Sequence, residues 1–296
     1  MTYVVTGVTG RTGAVAARTL LAAGERVRVV VRNPAHSEHW ERLGAEVAVA
    51  DLTDAAALTR AFSRARGAYL VSPPSYALKD IYRYVERVAD AAAQAAEAAR
   101  LPKLVLLSSV GADQASGIGV IANNRTMEQR LSRLDIPMAF LRAAYFMENW
   151  AGMVDSVLNE GILPSFLAPL DRAIPMVATR DIGRVAAETL REDWSGTRTV
   201  ALEGPAQYSP NEIAAAFEQA LGRPVRAVIV EESSWRGALA QGGRFSETAL
   251  AGFIEMTRSL NNEHISFASD TGTTHVAGSV PFSEVAPVLL GLRPAP

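Results

Sequence analysis

Residues 3–15, YVVTGVTGRTGAV, join an apolar run to three glycines at three-residue steps and then to small residues. The glycines are Gly7, Gly10 and Gly13. A strand that passes through such glycines into a helix brings backbone N–H groups and the positive end of the helix dipole to one point, which suits a diphosphate. Gly7 would permit the tight turn, Gly10 the close approach of the diphosphate, and Gly13 close packing of helix on strand. A plain glycine turn is the alternative, but a position at the first strand of a βαβ rhythm favours phosphate binding.

Short β-branched runs alternate with Ala-rich stretches through the first half of the chain. Near-continuous apolarity, as in KLVLLSS at 103–109, is typical of strands buried on both faces of a parallel sheet. The sequence therefore predicts an α/β fold, a Rossmann-type doubly wound parallel sheet with a smaller α/β substrate domain. The predicted strands are 3–6, 27–31, 46–50, 68–71, 104–108 and 138–141. The predicted helices lie near 12–23, 36–43, 54–65, 79–100 and 122–134.

Beyond Leu141 this rhythm loosens, and a Pro-rich connection, GILPSFLAPLDRAIP, occupies 161–175. We predict that residues 1–144 form the Rossmann domain, which binds the dinucleotide, and that 174–203 return to it. The remaining segments, 145–173 and 204–296, are predicted to form the smaller substrate-binding domain.

Composition excludes several classes of function. A net charge of −2 and a pI near 6.1 give no basic face for nucleic acid. With no cysteine, the chain has no disulfide, thiolate metal site or cysteine nucleophile. No apolar run approaches the roughly 18 residues of a membrane span, and the amino terminus shows no leader signature. We expect a cytoplasmic, unprocessed protein, a monomer or homodimer, whose partner is a small molecule.

The sequence gives little support for a metal site, a serine hydrolase or a P-loop. His36 and His39 lie one helical turn apart without a third ligand nearby, and His264 and His275 look like loop residues that could line a substrate pocket, so no metal site is expected. The Gly-x-Ser-x-Gly elbow of hydrolases and the Gly-Lys-Ser/Thr of a P-loop are both missing.

The end of the second predicted strand bears on the choice of dinucleotide. An acidic residue there would hold the ribose 2′-hydroxyl of NAD, but the sequence is VRVVVRNP and Arg32 takes that place. A guanidinium can pair with a 2′-phosphate, and Arg11 inside the glycine loop could reach the same group. A solvated arginine at a strand end is the alternative. The pattern favours NADP(H) over NAD.

The third and fourth predicted strands also end in residues suited to a ligand. Asp51 and Leu52 could flank an adenine, although Asp51 could equally cap the following helix. After the fourth strand, Ser72-Pro73-Pro74 turns the chain at the carboxyl edge of the sheet, beside the expected crevice. Tyr76 and Tyr82 follow and could face the nicotinamide or the substrate, with ordinary packing the better account of Tyr82.

The sequence resembles the NmrA-like branch of the atypical short-chain dehydrogenase/reductase superfamily. That branch includes NADPH-dependent quinone reductases, isoflavone-reductase-like enzymes and redox-sensing regulators. The resemblance covers about the first 190 residues well. It rests on TGVTGRTG, VVVRNP, ADL, LVLLSSVGA at 104–112, MEQRL at 127–131, LRAAYFMENW at 141–150 and TRDIGRVAA at 179–187.

The resemblance implies a set of site residues. Arg32 would bind the 2′-phosphate, and Asp51 and Leu52 the adenine. The diphosphate side would be contacted by Gly7, Thr9, Gly10, Arg11, Thr12 and Gly13. The path to the nicotinamide would be lined by Val71, Ser72, Pro73, Ser108, Ser109, Tyr145 and Phe146. The substrate would be contacted by Ser75, Tyr76, Val110, Met147 and Asn149.

The chain departs from that family in its acid–base residues. Many relatives place a Tyr-x-x-x-Lys pair or a lone lysine after the fifth strand, but the only lysines here are Lys79 and Lys103. Some quinone-reductase-like members have a histidine where this chain has Asn124, whose amide can hydrogen-bond but cannot exchange a proton near neutral pH. Tyr145 is the leading candidate proton donor. The alternative for Asn124 is an amide on the surface of its helix, and the alternative for Tyr145 is a residue that only packs.

The resulting prediction is an NADP(H)-dependent oxidoreductase that passes hydride from NADPH to a quinone or a similarly activated small molecule. A quinone becomes a stabilised phenolate and can take its proton from water, so it does not need the missing pair. The alternatives are a redox sensor of the NmrA type that binds NADP(H) without chemistry, and a biosynthetic ketone or imine reductase.

Overall fold

A computed structural model describes residues 2–241, 243–266 and 272–293. The strands are β1 (Thr2–Val5), β2 (Val27–Val31), β3 (Glu46–Val49), β4 (Ala65–Val71), β5 (Leu104–Ser109), β6 (Met138–Ala143), β7 (Tyr145–Phe146), β8 (Ile162–Ser165), β9 (Ile174–Val177), β10 (Thr197–Glu203), β11 (Gln207–Tyr208), β12 (Arg226–Ile229) and β13 (Thr273–Ala277). The α-helices are α1 (Arg11–Ala22), α2 (Ser37–Arg42), α3 (Ala55–Phe62), α4 (Ile81–Ala98), α5 (Ala122–Leu131), α6 (Val154–Glu160), α7 (Thr179–Arg191), α8 (Pro210–Leu221), α9 (Glu232–Ala240), α10 (Glu247–Asn261) and α11 (Phe282–Leu289).

An eight-stranded parallel sheet organises the molecule, in the order β13-β10-β6-β5-β4-β1-β2-β3. The chain starts in the middle of the sheet, winds outward to β3, and then crosses back to continue from β4 on the other side. This is the doubly wound order, and it opens a crevice at the carboxyl ends of the strands where the winding reverses. The predicted α/β, Rossmann-type fold is confirmed.

Helices cover both faces of this sheet. Side chains alternate along β1, so that Tyr3 and Val5 pack with α1 and α7 while Val4 packs with α3 and α4 on the opposite face. Both faces are buried, which accounts for the nearly continuous apolar runs of the central strands. Each of the predicted strands and helices of the first half overlaps an observed element.

Beyond the large sheet, two small sheets and four helices surround a third apolar core. The sheets are β11-β9-β7 and β12-β8. Trp150, Val157, Phe217 and Phe282 lie in this core. Helix α8 begins with a complete capping box, in which Ser209 and Glu212 satisfy each other's backbone N–H groups.

The predicted division into two domains stays a prediction. Two strands, β13 and β9, lie in a different sheet from the one that the predicted bounds imply. Strand β13 pairs in parallel with β10 in the large sheet, whereas the prediction assigned 204–296 to the smaller domain. The residues of β13, TTHVA, are partly or fully exposed at the edge of the sheet. They lack the apolar run that is typical of a buried strand. Conversely, β9 lies in a small sheet, within the segment predicted to return to the Rossmann domain.

No helix within the described ranges is both long and apolar enough to cross a membrane.

Candidate active site

A cleft of about 730 Å³ lies at the carboxyl ends of β1, β4 and β5. Its walls come from the glycine turn after β1, the loop after β4, the start of α5, the segment around β7, and one face of α10. Many of the predicted site residues meet here. Those that line it are Gly7, Thr9, Gly10, Arg11, Thr12, Leu52, Val71, Ser72, Pro73, Ser75, Tyr76, Ser108, Ser109, Val110, Asn124, Tyr145, Phe146 and Asn149.

The glycine turn has the geometry of a phosphate cradle. Gly7 has a φ of +69°, which favours glycine, and its carbonyl accepts a hydrogen bond of 2.9 Å from the N–H of Gly10. A Cβ on Gly13 would lie 2.4 Å from the Gly7 oxygen, so α1 can approach the turn this closely only with glycine there. Above Gly10 the space is open, because a Cβ there would meet only the Gly7 oxygen, at 3.3 Å.

The amino end of α1 is left free for a ligand. Gly10 is its N-cap and provides no side-chain cap, and the first turn contains no acidic residue. The first N–H groups of a helix need an acceptor, and a diphosphate supplies one. The residues present therefore fit the diphosphate of a dinucleotide.

Thr6 holds this turn in place, and sequence reasoning missed it. Its hydroxyl donates to the carbonyl of Tyr69 at 3.2 Å and accepts from the N–H of Val71 at 2.9 Å. The end of β1 is thereby tied to the end of β4, which places Gly7 against the Val71 side chain. The signal available in the sequence was a lone threonine ending an apolar strand.

Two arginines predicted to bind the cofactor, Arg11 and Arg32, have exposed side chains. In the part of the chain that the structure describes, no carboxylate lies within ion-pair distance of either. An exposed guanidinium without a carboxylate partner is available to an anionic ligand.

Asp51 is engaged locally. Its carboxylate accepts from the N–H of Thr53 at 2.8 Å and from the Thr53 hydroxyl at 2.7 Å. These bonds, helped by the nearby charge of Arg32, hold the pKa of Asp51 below its usual value. The cap of α3 is Asp54, which accepts from the N–H of Ala57, so the alternative role of Asp51 as that cap is wrong.

Four predicted site residues do not line the cleft among the residues described. Gly13 packs against the Gly7 carbonyl of the turn, and Arg32 and Asp51 lie outside the cleft lining. Met147, predicted as a substrate contact, is instead fully buried in the third core. Residues 147–153 form a 3-10 helix, whose tighter winding turns Met147 inward, whereas Asn149 of the same turn reaches the cleft.

A buried ion pair supports the floor of the cleft. Ser108 donates to Glu128 at 2.5 Å, and Arg142 donates to the two oxygens of Glu128 at 3.0 and 2.7 Å. Arg142 also reaches Asp113 at 3.5 Å. Because the Ser108 proton points to Glu128, the Ser108 oxygen has lone pairs left for a hydrogen-bond donor in the cleft.

Tyr145 lies in the cleft, which Asn149 also lines. Burial raises the pKa of Tyr145 to about 12, and the hydrogen bond with Asn149 offsets part of that rise. The adjoining Glu148 accepts from the N–H of Thr179 at 3.0 Å and from its hydroxyl at 2.5 Å. Glu148 thus caps α7 and fixes the segment that carries Tyr145.

The two lysines lie in different segments. Lys103 is at the amino end of β5, where its ammonium group contacts Asp193 at 3.2 Å, and Lys79 lies in the loop between β4 and α4. Neither is among the described residues that line the cleft. Beside Asn124, the Oδ1 atom of Asn123 is buried without a hydrogen-bond partner, and Asn123 also lines the cleft.

The far end of the cleft is apolar, and sequence reasoning found only its Tyr76. The others come from the 3-10 helix Gly119–Ile121, from α4 and from α10. They are Ile81, Val85, Val120, Ile121, Phe253, Met256 and Leu260. Nothing in their local spacing distinguishes them from ordinary core residues.

No histidine is among the described residues that line the cleft. His264 contacts the Ser116 carbonyl through Nε2 at 2.9 Å, and His36 and His39 are exposed. A search of the described residues finds no group of three or more side chains placed to hold a metal ion.

The fold and cleft define a Rossmann-type protein with a dinucleotide site, and comparison with known proteins gives its family. The chain matches the NmrA-like family over residues 1–277 and belongs to that family. It is 25% identical over 227 residues to the NAD(P)H azoreductase of Xenophilus azovorans, with 76% of each chain covered. It is 25% identical over 242 residues to quinone oxidoreductase 2 of Escherichia coli (strain K12), with 81% of each covered.

Solved structures show the same fold. A triphenylmethane reductase from Citrobacter sp. superposes with a TM-score of 0.80 at 20% identity, over 98% of this chain and all of that one. The NADPH-dependent quinone oxidoreductase from Escherichia coli superposes with a TM-score of 0.77 at 22% identity, over 98% and 99% of the two chains. The resemblance stated from the sequence motifs is confirmed.

Proposed function

We propose that the protein is an NADPH-dependent reductase that delivers hydride to a quinone or a similarly activated small-molecule acceptor. One observation carries the proposal. The uncapped amino end of α1 opens into the same cleft as the phenol of Tyr145 and an apolar wall. The azoreductase and quinone oxidoreductase to which the chain is similar support the same class of reaction.

The cofactor is assigned as NADP(H). Its diphosphate would lie at the glycine turn, and its 2′-phosphate would pair with Arg32 and Arg11, for which the described residues provide no carboxylate partner. Replacing Arg32 with alanine should raise KM for NADPH about 10- to 100-fold and leave KM for NADH nearly unchanged, because one charge-assisted contact is lost. The matched control is Arg133→Ala, an exposed arginine beyond the far end of α5. An equal effect on both cofactors would refute the assignment.

The chemistry needs little from the protein beyond orientation. When bound, NADPH supplies the hydride. Reduction of a quinone adds this hydride and one proton, which gives the hydroquinone and leaves NADP+. Tyr145 keeps its own proton at neutral pH and can donate a hydrogen bond to the acceptor oxygen as charge develops there. Because the resulting phenolate is stabilised, water can provide the final proton, and the missing Tyr/Lys pair is not required.

Steady-state oxidation of NADPH tests this function with a panel of quinones and, beside it, simple ketones. Quinones should turn over, and simple ketones, whose alkoxide needs a stronger acid, should not. Tyr145→Phe should lower kcat for quinones by about tenfold or less, because it removes one hydrogen bond. Background rates with every quinone would refute the proposal.

A second function is favoured by the lysines, neither of which is among the described residues that line the cleft with Tyr145. A protein without that pair could bind NADP(H) and report its redox state to a partner. Such a sensor must bind NADPH and NADP+ with different affinities, since a ligand shifts an equilibrium only through differential affinity. Calorimetry with NADPH and NADP+ distinguishes the sensor from the reductase. Equal affinities for the two cofactors, together with turnover of quinones, exclude the sensor.

A further inference from the structure

Six of the side chains at the apolar end of the cleft form what we call the acceptor pocket, namely Tyr76, Ile81, Val120, Phe253, Met256 and Leu260. All six are uncharged. Of the described residues that line the whole cleft, Arg11 alone carries a formal charge, and it belongs to the glycine turn on the phosphate side. A ligand in the acceptor pocket is therefore surrounded by groups that cannot neutralise an ion.

Aromatic rings dominate one wall of the acceptor pocket. The ring of Tyr76 stacks on Phe245 at 5.4 Å between centroids and meets Phe253 edge-on at 5.5 Å. Phe245 and Phe253 are themselves 5.1 Å apart in an edge-to-face contact. Of these three residues, Tyr76 and Phe253 line the cleft, and aromatic rings favour stacked or edge-to-face contact with a flat ligand.

The wall is held by backbone contacts between distant segments. The N–H of Ser246 donates to the carbonyl of Tyr76 at 2.8 Å, and the Thr248 hydroxyl donates to the carbonyl of Lys79 at 2.8 Å. The loop after β4 is thus tied to the amino end of α10. Contacts within the protein hold the aromatic wall in one arrangement, and a site held in this way loses less entropy when a ligand binds.

We propose that the acceptor pocket selects fused-ring aromatic acceptors that carry no anionic group, and that Tyr76 sets this preference by stacking on the acceptor ring. The proposal rests on the proposed function, because it assigns the acceptor class of the same cleft. A sulfonate or carboxylate placed there would lose its water and find no cation, while the ring would gain from apolar burial. An uncharged two-ring quinone avoids the first cost and keeps the gain.

A matched pair of acceptors tests the charge preference on the wild-type protein. The pair is 1,4-naphthoquinone and 1,4-naphthoquinone-2-sulfonate, with kcat/KM measured for each at saturating NADPH. We expect kcat/KM for the sulfonate to be lower by about 100-fold or more. Slower reduction of the sulfonate does not reflect weak reactivity, because the electron-withdrawing group makes its ring the better hydride acceptor. Values within about threefold of each other would overturn the proposal and leave the proposed function standing.

Two variants locate the effect. Met256→Lys places a cation in the acceptor pocket and should raise the sulfonate-to-naphthoquinone ratio of kcat/KM by about tenfold or more, whereas Met256→Leu should leave that ratio unchanged. Tyr76→Leu keeps an apolar side chain but removes the π face, and should lower kcat/KM for naphthoquinone about three- to tenfold. The control Tyr84→Leu changes a tyrosine on α4 that is not among the cleft residues. Equal effects at Tyr76 and Tyr84 would refute the stacking role.

Measurements of ligand binding test the charge preference of the acceptor pocket even if the proposed function fails. If no quinone turns over, equilibrium dialysis with 2-naphthol and 2-naphthalenesulfonate, neither of which is reducible here, still measures the pocket. Tighter binding of 2-naphthol by about 100-fold supports the charge preference without any catalysis. Equal binding of the two ligands overturns it.

Discussion

Replacing Arg142 with methionine should cost about 3–5 kcal/mol of unfolding free energy, because it leaves a buried carboxylate without its cation. The side chains of Arg142 and Glu128 are only 18% and 8% exposed. Arg142 supplies two hydrogen bonds to Glu128, and once they are gone the described contacts leave Glu128 only the bond from Ser108. Methionine replaces the aliphatic stem of the arginine and packs adaptably, so lost packing contributes less than the lost charge.

A double-mutant cycle identifies the cause of this loss. Glu128→Gln combined with Arg142→Met removes both charges, and the double variant should be about 1–3 kcal/mol more stable than Arg142→Met alone. A matched surface control is Arg236→Met, which breaks a pair of the same 2.7 Å length whose side chains are 58% and 83% exposed. That control should cost no more than about 1 kcal/mol.

Urea unfolding followed by circular dichroism gives these free energies by linear extrapolation. The m-value must stay constant, since a change in it would report a different denatured or native state. If Arg142→Met cost no more than Arg236→Met, or if the double variant lost as much as the two single losses added together, the buried charge would not be the source of the effect.

Three further predictions concern separate features. Gly13→Ala forces a Cβ to within 2.4 Å of the Gly7 oxygen. This variant should abolish NADPH binding in a titration or destabilise the fold by about 2 kcal/mol or more. The control Gly152→Ala, whose Cβ would meet nothing within 4 Å, should do neither. The pKa of Tyr145, raised to about 12, predicts that its phenol stays protonated, so kcat/KM for a quinone should show no tyrosine ionisation between about pH 7 and about pH 10. A limb in that range that disappears in Tyr145→Phe would contradict this. Ser209→Ala breaks the capping box of α8 and should cost about 1 kcal/mol in urea unfolding, and no change in the midpoint would show that the cap is not needed.

The features predicted well from the sequence are those whose cause is local. The glycine spacing at 7, 10 and 13 is set by a turn of a few residues, and the structure shows both the positive φ of Gly7 and the close approach at Gly13. The central strands can be predicted because burial on both faces of the sheet requires a continuous run of apolar residues.

The acceptor pocket could not be predicted because its parts meet through long-range contacts. Tyr76 touches Phe245 and Phe253, and no pattern within either segment encodes that contact. The direction of the Met147 side chain could not be obtained from spacing, because Met147 begins a 3-10 helix, which turns side chains by a different angle than an α-helix or strand does. The partner of Glu128 was missed for a similar reason, since Arg142 lies on a strand rather than on the same helix.

The pairing of β13 with β10 has a consequence for the chain while it is being made. Thr199 pairs with Thr273, so the outer edge of β10 stays open until the ribosome has added the intervening segments and β13 itself. Until then a nascent chain displays unpaired backbone groups along an almost complete parallel sheet, a surface to which other unfinished chains can add. Slow elongation between these two strands should therefore reduce the yield of native protein more than the same delay introduced after β13.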